Sequence, residues 1–372
     1  MESESELKLS VIIPYYNASQ YISRVFHALD KQTYRNFEVI IIDDGSTDDS
    51  LKVVQQLCSS RSYCKVYSFE NAGPSTARNR GISLASGEYL YFLDADDYFL
   101  PELFEEMVGI IRDYDFPDDI RFGYQWFNGN FDMENHPPLP KASGDIKVFE
   151  GDDIIHNLLG TVIGYSTKDV ESYYKIGTWP VKGAGYSVWS HFYKRSTIEA
   201  HNIRFAECLI MGEDRIFNST FMAFAKKVVC VDKDYYYYIS SEQGILNTIL
   251  KLDINRLYYE KKTILEQREV VRQLYLREKN IDIFETYRGS SVIAALQLAI
   301  AFSGHSLFKG YCLYSKFLAH PLLKKALNGF PIKSAPLKFK VPMLMIKNHL
   351  SGILFFLLWG SQKVGLKLDK YR

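Results

Sequence analysis

The chain has 372 residues, 47% hydrophobic and 24% charged, enough to bury one large core with an appendage or two cores. Lysine plus arginine equals aspartate plus glutamate at 44 each, so no global basic excess points to nucleic acid. The five cysteines form no CxxC pair and are odd in number, which suits reduced thiols in a cytosolic protein better than a disulfide framework. The acidic start Met1-Glu-Ser-Glu-Ser-Glu lacks the apolar core of a signal peptide, and no stretch reaches the roughly 18 to 20 apolar residues of a membrane span.

Leu9-Ser-Val-Ile-Ile-Pro14 predicts a first strand, after which Asn17 or Ser19 can cap a helix whose Tyr21, Val25, Phe26 and Leu29 recur at helical spacing. Phe37–Ile42 predicts a second strand, apolar throughout as in a sheet covered on both faces, and it runs into Asp43-Asp44-Gly45-Ser46. Strand, turn and helix thus alternate twice within about fifty residues, the rhythm of a doubly wound α/β sheet. Cys64–Phe69 suits a third strand. Gly73-Pro74 then punctuates, Ser75 can cap, and the next helix carries Arg78 in its second turn. Tyr89–Leu93 reads as a buried strand running straight into Asp94, Asp96 and Asp97, followed by a helix opened by Pro101. Further strands are expected over Asp119–Trp126, Val188–Lys194, Lys227–Val231 and Tyr235–Ile239, with a loop or irregular hairpin over 128–147 and a flexible loop at Gly183–Ser187. Beyond Leu250 the pattern turns helical. A charged helix covers Leu257–Lys279, an apolar one Val292–Phe302, and the apolar run Ile353–Trp359 lies in a helix from about Pro342 to Lys363.

The three aspartates after Tyr89–Leu93 carry the strongest chemical signal. In an α/β sheet ligands bind beyond the carboxyl ends of the strands, and three close anions need a cation or hydrogen-bond donors to offset them. Oxygen-only ligands suit Mg²⁺ or Mn²⁺, which keep waters and bind substrate phosphates; helix capping would need a single aspartate. Asp43 and Asp44 fit either a contact to a ribose hydroxyl or base imide, or ordinary turn chemistry. Arg78 fits a bidentate carboxylate or phosphate partner, or a surface ion pair. Glu213 and Asp214 open a helix, where they either favour its dipole or take a proton from a substrate hydroxyl.

Val11-Ile-Ile-Pro-Tyr-Tyr-Asn17, Asp43-Asp44-Gly45-Ser46, Ala72-Gly73 with Arg78-Asn79 and Gly81, Phe92-Leu-Asp-Ala-Asp-Asp97 and Gly212-Glu213-Asp214 stand in one order. That ordered set resembles the inverting family 2 glycosyltransferases, above all those of bacterial capsule, O-antigen and exopolysaccharide synthesis. The resemblance covers roughly residues 8 to 240. It implies a GT-A fold, an α/β Rossmann-like mixed sheet flanked by helices, in a catalytic domain over 1–245. A helical C-terminal extension over 246–372 follows. It also implies roles. Pro14 and Tyr16 line the nucleotide pocket, Asp44 meets uracil with Asp43 beside it, and Arg78 helps hold the nucleotide. Asp94 and Asp96 match the family's DxD element, Asp96 and then Asp97 contacting Mg²⁺ or Mn²⁺. Asp214 matches the catalytic base next to Glu213, and Trp189 with the Gly183–Ser187 loop stands near the acceptor.

The implied reaction moves a sugar from a nucleoside-diphosphate sugar, by family a UDP-sugar, to a hydroxyl of a glycan or polyprenyl-diphosphate-linked glycan, in the cytoplasm. The Ile353–Trp359 run is too short to span a bilayer. It either lies in the interface of the inner membrane or packs on the catalytic domain. Two alternatives compete: an Asp-nucleophile phosphatase or phosphotransferase, whose motif belongs on the first strand, and a sugar-nucleotide-binding protein without turnover.

Overall fold

The computed structural model describes residues 6–128, 131–133, 138–139, 143–176, 186–240, 253–332 and 335–363. The chain divides into two compact units, residues 1–159 with 183–244 and residues 160–182 with 245–372. A segment inside the first 245 residues therefore groups with the C-terminal helices.

The first unit is built on one mixed sheet. Its strands are β1 (Leu9–Tyr15), β2 (Phe37–Asp43), β3 (Cys64–Ser68), β4 (Tyr89–Phe92), β5 (Tyr98–Phe99), β6 (Asp119–Asn128), β7 (Ile146–Glu150), β8 (His191–Lys194) and β9 (Lys227–Ser240). They run in the order β3-β2-β1-β4-β8-β6-β9-β5, with β7 also on β9. The β3-β2-β1-β4 half is parallel, and β8 joins it antiparallel to β4. Helices α1 (Ile22–Asp30), α2 (Ser50–Ser59), α3 (Pro74–Leu84), α4 (Leu103–Asp113), α5 (Arg195–Ala200) and α6 (Glu213–Met222) accompany it. Val11, Ile13, Val39, Ile41, Tyr89 and Tyr91 are fully or almost fully buried, as continuous apolar strands require when both faces are covered.

Register places the chemistry. Tyr15 pairs with Asp43 across β1 and β2, and Ile12 with Phe92 across β1 and β4. The carboxyl ends of three parallel strands therefore release Tyr16, Asp44 and Asp94 on one edge of the sheet. Glu38 fastens this half from its other end. Its carboxylate accepts from Ser10 Oγ at 2.7 Å and from the Ser86 backbone N–H and hydroxyl, both at 2.7 Å, and Lys8 Nζ lies 3.2 Å away. Gly87 beside it is packed so tightly that a Cβ would stand 2.7 Å from backbone atoms of Lys8, Leu9 and Ser10. Burial pushes the Glu38 carboxyl up, but the Ser10 and Ser86 donors outweigh it and hold it at about 2, against an ordinary 4.5. A depressed carboxyl contributes stability above its unfolded value that is lost as pH falls through its folded one. Wild-type stability should therefore drop by up to about 3 kcal/mol between pH 4.5 and 2 on account of this one group. In Glu38→Gln that pH-dependent part should vanish, read by urea unfolding across the same range.

The structure departs from the sequence expectations at several places. The two strands expected at Lys227–Val231 and Tyr235–Ile239 are one, β9, because Asp232-Lys233-Asp234 continues the ladder through an irregular register opposite Gly123. Val188–Ser190 is a short helical turn, and only His191–Lys194 is extended. Neither Asn17 nor Ser19 caps α1. Asn17 takes a left-handed conformation (φ 47°), and its amide binds Thr47, tying the loop after β1 to the loop after β2. Cys58 and Cys64, expected as free thiols, are joined as a disulfide, since the end of α2 and the start of β3 bring their Cα atoms to 5.4 Å.

The second unit is helical: Thr167–Ile176, then α7 (Ile254–Lys279), α8 (Phe284–Ser303), α9 (Leu307–Leu318), α10 (Pro321–Leu327), α11 (Leu337–Lys347) and α12 (Ser351–Lys363). Leu298, Phe302, Tyr314, Phe317 and Phe355 form one core, and Val170, Val292, Ala326, Phe330 and Met343 another. The single helix expected from Pro342 to Lys363 is two, broken at Asn348–Leu350, where His349 takes φ 61°. Among the described residues no helix is long and apolar enough to cross a membrane.

Candidate active site

Arg78 is the centre of the site. It sits on α3, which opens at Gly73 (φ 91°) with Pro74 in its first turn. Its side chain is 6% exposed and reaches three carboxylates. Nη2 donates to Asp94 Oδ1 at 3.1 Å, Nη1 donates to Glu213 Oε1 at 3.2 Å, and Asp214 Oδ1 lies 3.7 Å from Nη1. Asp94 leaves the end of β4, and Glu213 and Asp214 begin α6 after Gly212 in the left-handed conformation. Residues more than a hundred positions apart thus share one guanidinium.

One cation against three anions leaves the cluster short of positive charge. Burial pushes Glu213 up to about 7 and Asp214 adds to that, while Arg78 opposes both. Burial likewise pushes Asp214 up to about 6, where Arg78 pulls it down and Asp94 pushes it up. For Arg78 burial works against the charge, but Asp214, Asp94 and Glu213 outweigh it and hold the guanidinium firmly protonated. Asp214 Oδ2 accepts from Val188 N at 3.3 Å, and the side chain keeps 20% of its surface exposed. A partly exposed carboxylate near neutral pKa, aimed by a backbone N–H and an arginine, has the properties of a general base.

Asp43 and Asp44 line the neighbouring end of β2. Asp43 accepts from Ser46 N at 3.2 Å and Ser68 Oγ at 2.7 Å. Asp44 accepts from Ala72 N at 3.0 Å and Gly73 N at 2.7 Å and pairs with Arg80 at 3.3 Å, so it shapes the turn that opens α3. Its Oδ2 holds a single donor, leaving room for another. Tyr16 projects from the end of β1 with 48% of its surface exposed, next to the half-buried Pro14. Arg80 and Arg24 had no sequence signal of their own. Arg24 donates to the backbone carbonyl of Asp96, linking α1 to the loop after β4.

Two expected contacts have other partners. Asp97 is fully buried, with Tyr236 Oη donating to Oδ2 at 2.6 Å and Ile239 N to Oδ1 at 2.8 Å. Burial, with Asp96 and Asp94 nearby, pushes its carboxyl well above the usual range. With no exposed surface and a donor on each oxygen, it does not fit the expected metal contact. Trp189 is 5% exposed, stacked on Tyr236 at 4.5 Å and edge-on to Tyr124 at 4.6 Å. Both are supports: Asp97 holds Tyr236, Tyr236 stacks on Trp189, and the adjacent Val188 N–H aims Asp214. Of the Gly183–Ser187 loop expected beside the acceptor, Gly183, Ala184 and Gly185 lie outside the described residues.

Among the described residues no three His, Cys, Asp or Glu side chains are placed to hold a metal ion, the three carboxylates around Arg78 included. Magnesium-like ions need only one or two carboxylates when water and substrate phosphates complete the shell. Asp96, partly exposed beyond β4 next to Asp94, meets that lesser requirement.

Residues 10–173 match the family model described as Glycosyl transferase family 2. This stretch is a family 2 glycosyltransferase domain. The match stops short of Glu213 and Asp214, which the fold returns to Arg78. The chain is 29% identical over 255 residues to glycosyltransferase GlyA of Streptococcus pneumoniae, covering 68% of this chain and 32% of that protein. It is also 29% identical over 274 residues to glycosyltransferase YibD of Escherichia coli, covering 73% and 70%. It thus spans about a third of GlyA. Residues 1–349 of Staphylococcus aureus TarS, crystallised with UDP-GlcNAc, superpose with a TM-score of 0.59 at 20% identity, covering 97% of this chain and 93% of that one. That likeness supports the GT-A architecture, a mixed sheet flanked by helices with C-terminal helices after it. A phosphatase-type aspartate nucleophile belongs on a first strand, whereas Asp94 follows β4.

Proposed function

We propose that this glycosyltransferase moves a hexosyl or N-acetylhexosaminyl group from a UDP-sugar to a hydroxyl of a glycan or polyprenyl-diphosphate-linked glycan, inverting the anomeric carbon, in surface polysaccharide synthesis. One observation carries the reading: a single buried arginine joins the acid at the end of β4, where a diphosphate would lie, to the carboxylates that open α6. The relatives agree in kind. The poly(ribitol-phosphate) β-N-acetylglucosaminyltransferase TarS is 25% identical over 334 residues, covering 89% of this chain and 50% of that protein.

In this reading Tyr16 and Asp44 border the nucleoside and Asp96, beside Asp94, faces the diphosphate. Asp214 accepts the proton of the acceptor hydroxyl as its oxygen attacks the anomeric carbon from the face opposite the leaving group. A divalent cation held by Asp96 would offset the charge gathering on the departing diphosphate. Holding donor and acceptor in line supplies much of the rate. A thermal-shift series with UDP, GDP and dTDP, each with and without Mn²⁺, tests the donor: UDP should give the largest shift. Asp96→Ala should weaken UDP binding by about tenfold or more in Mn²⁺ and change it little in chelator, since one ligand of a hard ion is removed. Full turnover by wild type in excess chelator would remove the cation from the scheme.

A further inference from the structure

We propose that α11 and α12 form a docking face for an anionic lipid bilayer. Both helices bury one side in their own unit, through Met343 and Ile346 on α11 and Leu354 and Phe355 on α12. The opposite sides are apolar as well. Leu337, Val341 and Leu344 recur at helical spacing on α11 and are exposed, and Ile353, Phe356 and Leu357 on α12 are 54%, 57% and 59% exposed. Two consecutive packed helices presenting apolar stripes to water exceed the scattered exposed leucines of an ordinary surface.

Charge selects the occupant. Between Glu285 and Asp369 the chain has ten lysines and Arg288 and no aspartate or glutamate, although the whole chain is neutral. The exposed lysines Lys347 and Lys363 stand at the last turns of the two helices, and Lys363 lies over the Trp359 ring at 5.7 Å. Apolar side chains that enter the acyl boundary, a tryptophan and lysines at headgroup level are the requirements of an interfacial helix. The same surfeit of positive charge would repel a second copy of this face, while an anionic leaflet attracts it. Such docking rests on the proposed reaction only for its purpose, delivery of the site to a lipid-carried acceptor. It can be tested without donor or acceptor.

The test is co-sedimentation of the full-length protein with phosphatidylcholine vesicles, with and without phosphatidylglycerol, at low and high salt. Binding should require phosphatidylglycerol and weaken with salt. Phe356→Ser with Leu357→Ser should lower the partition constant by at least about tenfold, and Lys347→Ala by about fivefold at low salt. Both variants should keep the wild-type melting temperature and UDP-induced shift, which separates failure of docking from failure of the active-site reading. Equal binding to both vesicle types, or no change in either variant, would overturn the proposal. So would a wild-type dimer that the serine variant makes monomeric, because the face would then belong to a second copy.

Discussion

Asp214→Asn should lose about 10²- to 10⁴-fold in kcat while binding of UDP with Mn²⁺ stays within about twofold, because only the proton acceptor is removed. Asparagine preserves the contact that fixes the side chain, since its carbonyl oxygen can accept from Val188 N as Oδ2 does at 3.3 Å. What it lacks is a basic oxygen. The wild-type pH profile supplies a second readout. Burial pushes the Asp214 carboxyl up to about 6, so kcat/KM should fall as pH drops below about 6 and the base takes a proton. Glu213, pushed up to about 7, shares the same arginine, so the limb reports on the pair. Isothermal titration beside a turnover assay separates the outcomes. Equal loss of UDP binding and rate would assign Asp214 to donor binding and strip it of the base role.

Arg78→Met should lower unfolding free energy by about 3–5 kcal/mol at neutral pH, the usual cost of breaking a buried ion pair from one side. Methionine fills much of the volume, so the loss isolates the charge. Asp94, Glu213 and Asp214 would then face one another with their shared cation gone, and the carboxyls of Glu213 and Asp214 would rise further. A carboxyl whose folded pKa exceeds its unfolded value contributes stability that is fully present below the unfolded value and is lost progressively as pH rises through the folded one. The deficit of the variant should therefore shrink as pH falls from neutral toward about 4, where these carboxyls are protonated in both states, which urea unfolding at several pH values would show. Arg78→Lys should recover part of the stability and little of the turnover, since an ammonium is a point charge and cannot fork between Asp94 and Glu213. If Arg78→Met instead lost UDP binding at unchanged stability, the arginine would be a nucleotide contact and not a clamp on the carboxylates.

The supports behind the two acidic motifs explain why the site is unevenly legible in the sequence. Asp94, Asp96, Asp97, Glu213 and Asp214 stand out in the sequence because carboxylates cluster at the ends of apolar runs. Nothing local distinguishes Asp96, which stays partly exposed, from its neighbour Asp97, which is buried under Tyr236 and Ile239. That difference comes from β9, more than a hundred positions away. The glycine-rich stretch before Trp189 suggests an acceptor contact, yet Tyr236 and Tyr124 enclose its ring. Arg24 and Arg80 carry no local signal on their helices, because their partners, the Asp96 carbonyl and the Asp44 carboxylate, become neighbours only when β1, β2 and β4 pair.

By itself the sequence determined the parallel half of the sheet and the edge on which its chemistry lies. Runs such as Val11–Ile13, Val39–Ile42 and Tyr89–Leu93 are apolar at every position, and such strands are stable only when covered on both faces. Polar residues are then confined to the strand ends. Only the tertiary structure decided which acids share a cation, which one is spent as a support, and how the last two helices divide their apolar residues between core and water. Those outcomes depend on burial and on pairings across long stretches of chain. The local pattern of hydrophobic and charged residues does not encode them, since the free energy of a charged or apolar group is set by the neighbours that folding brings to it.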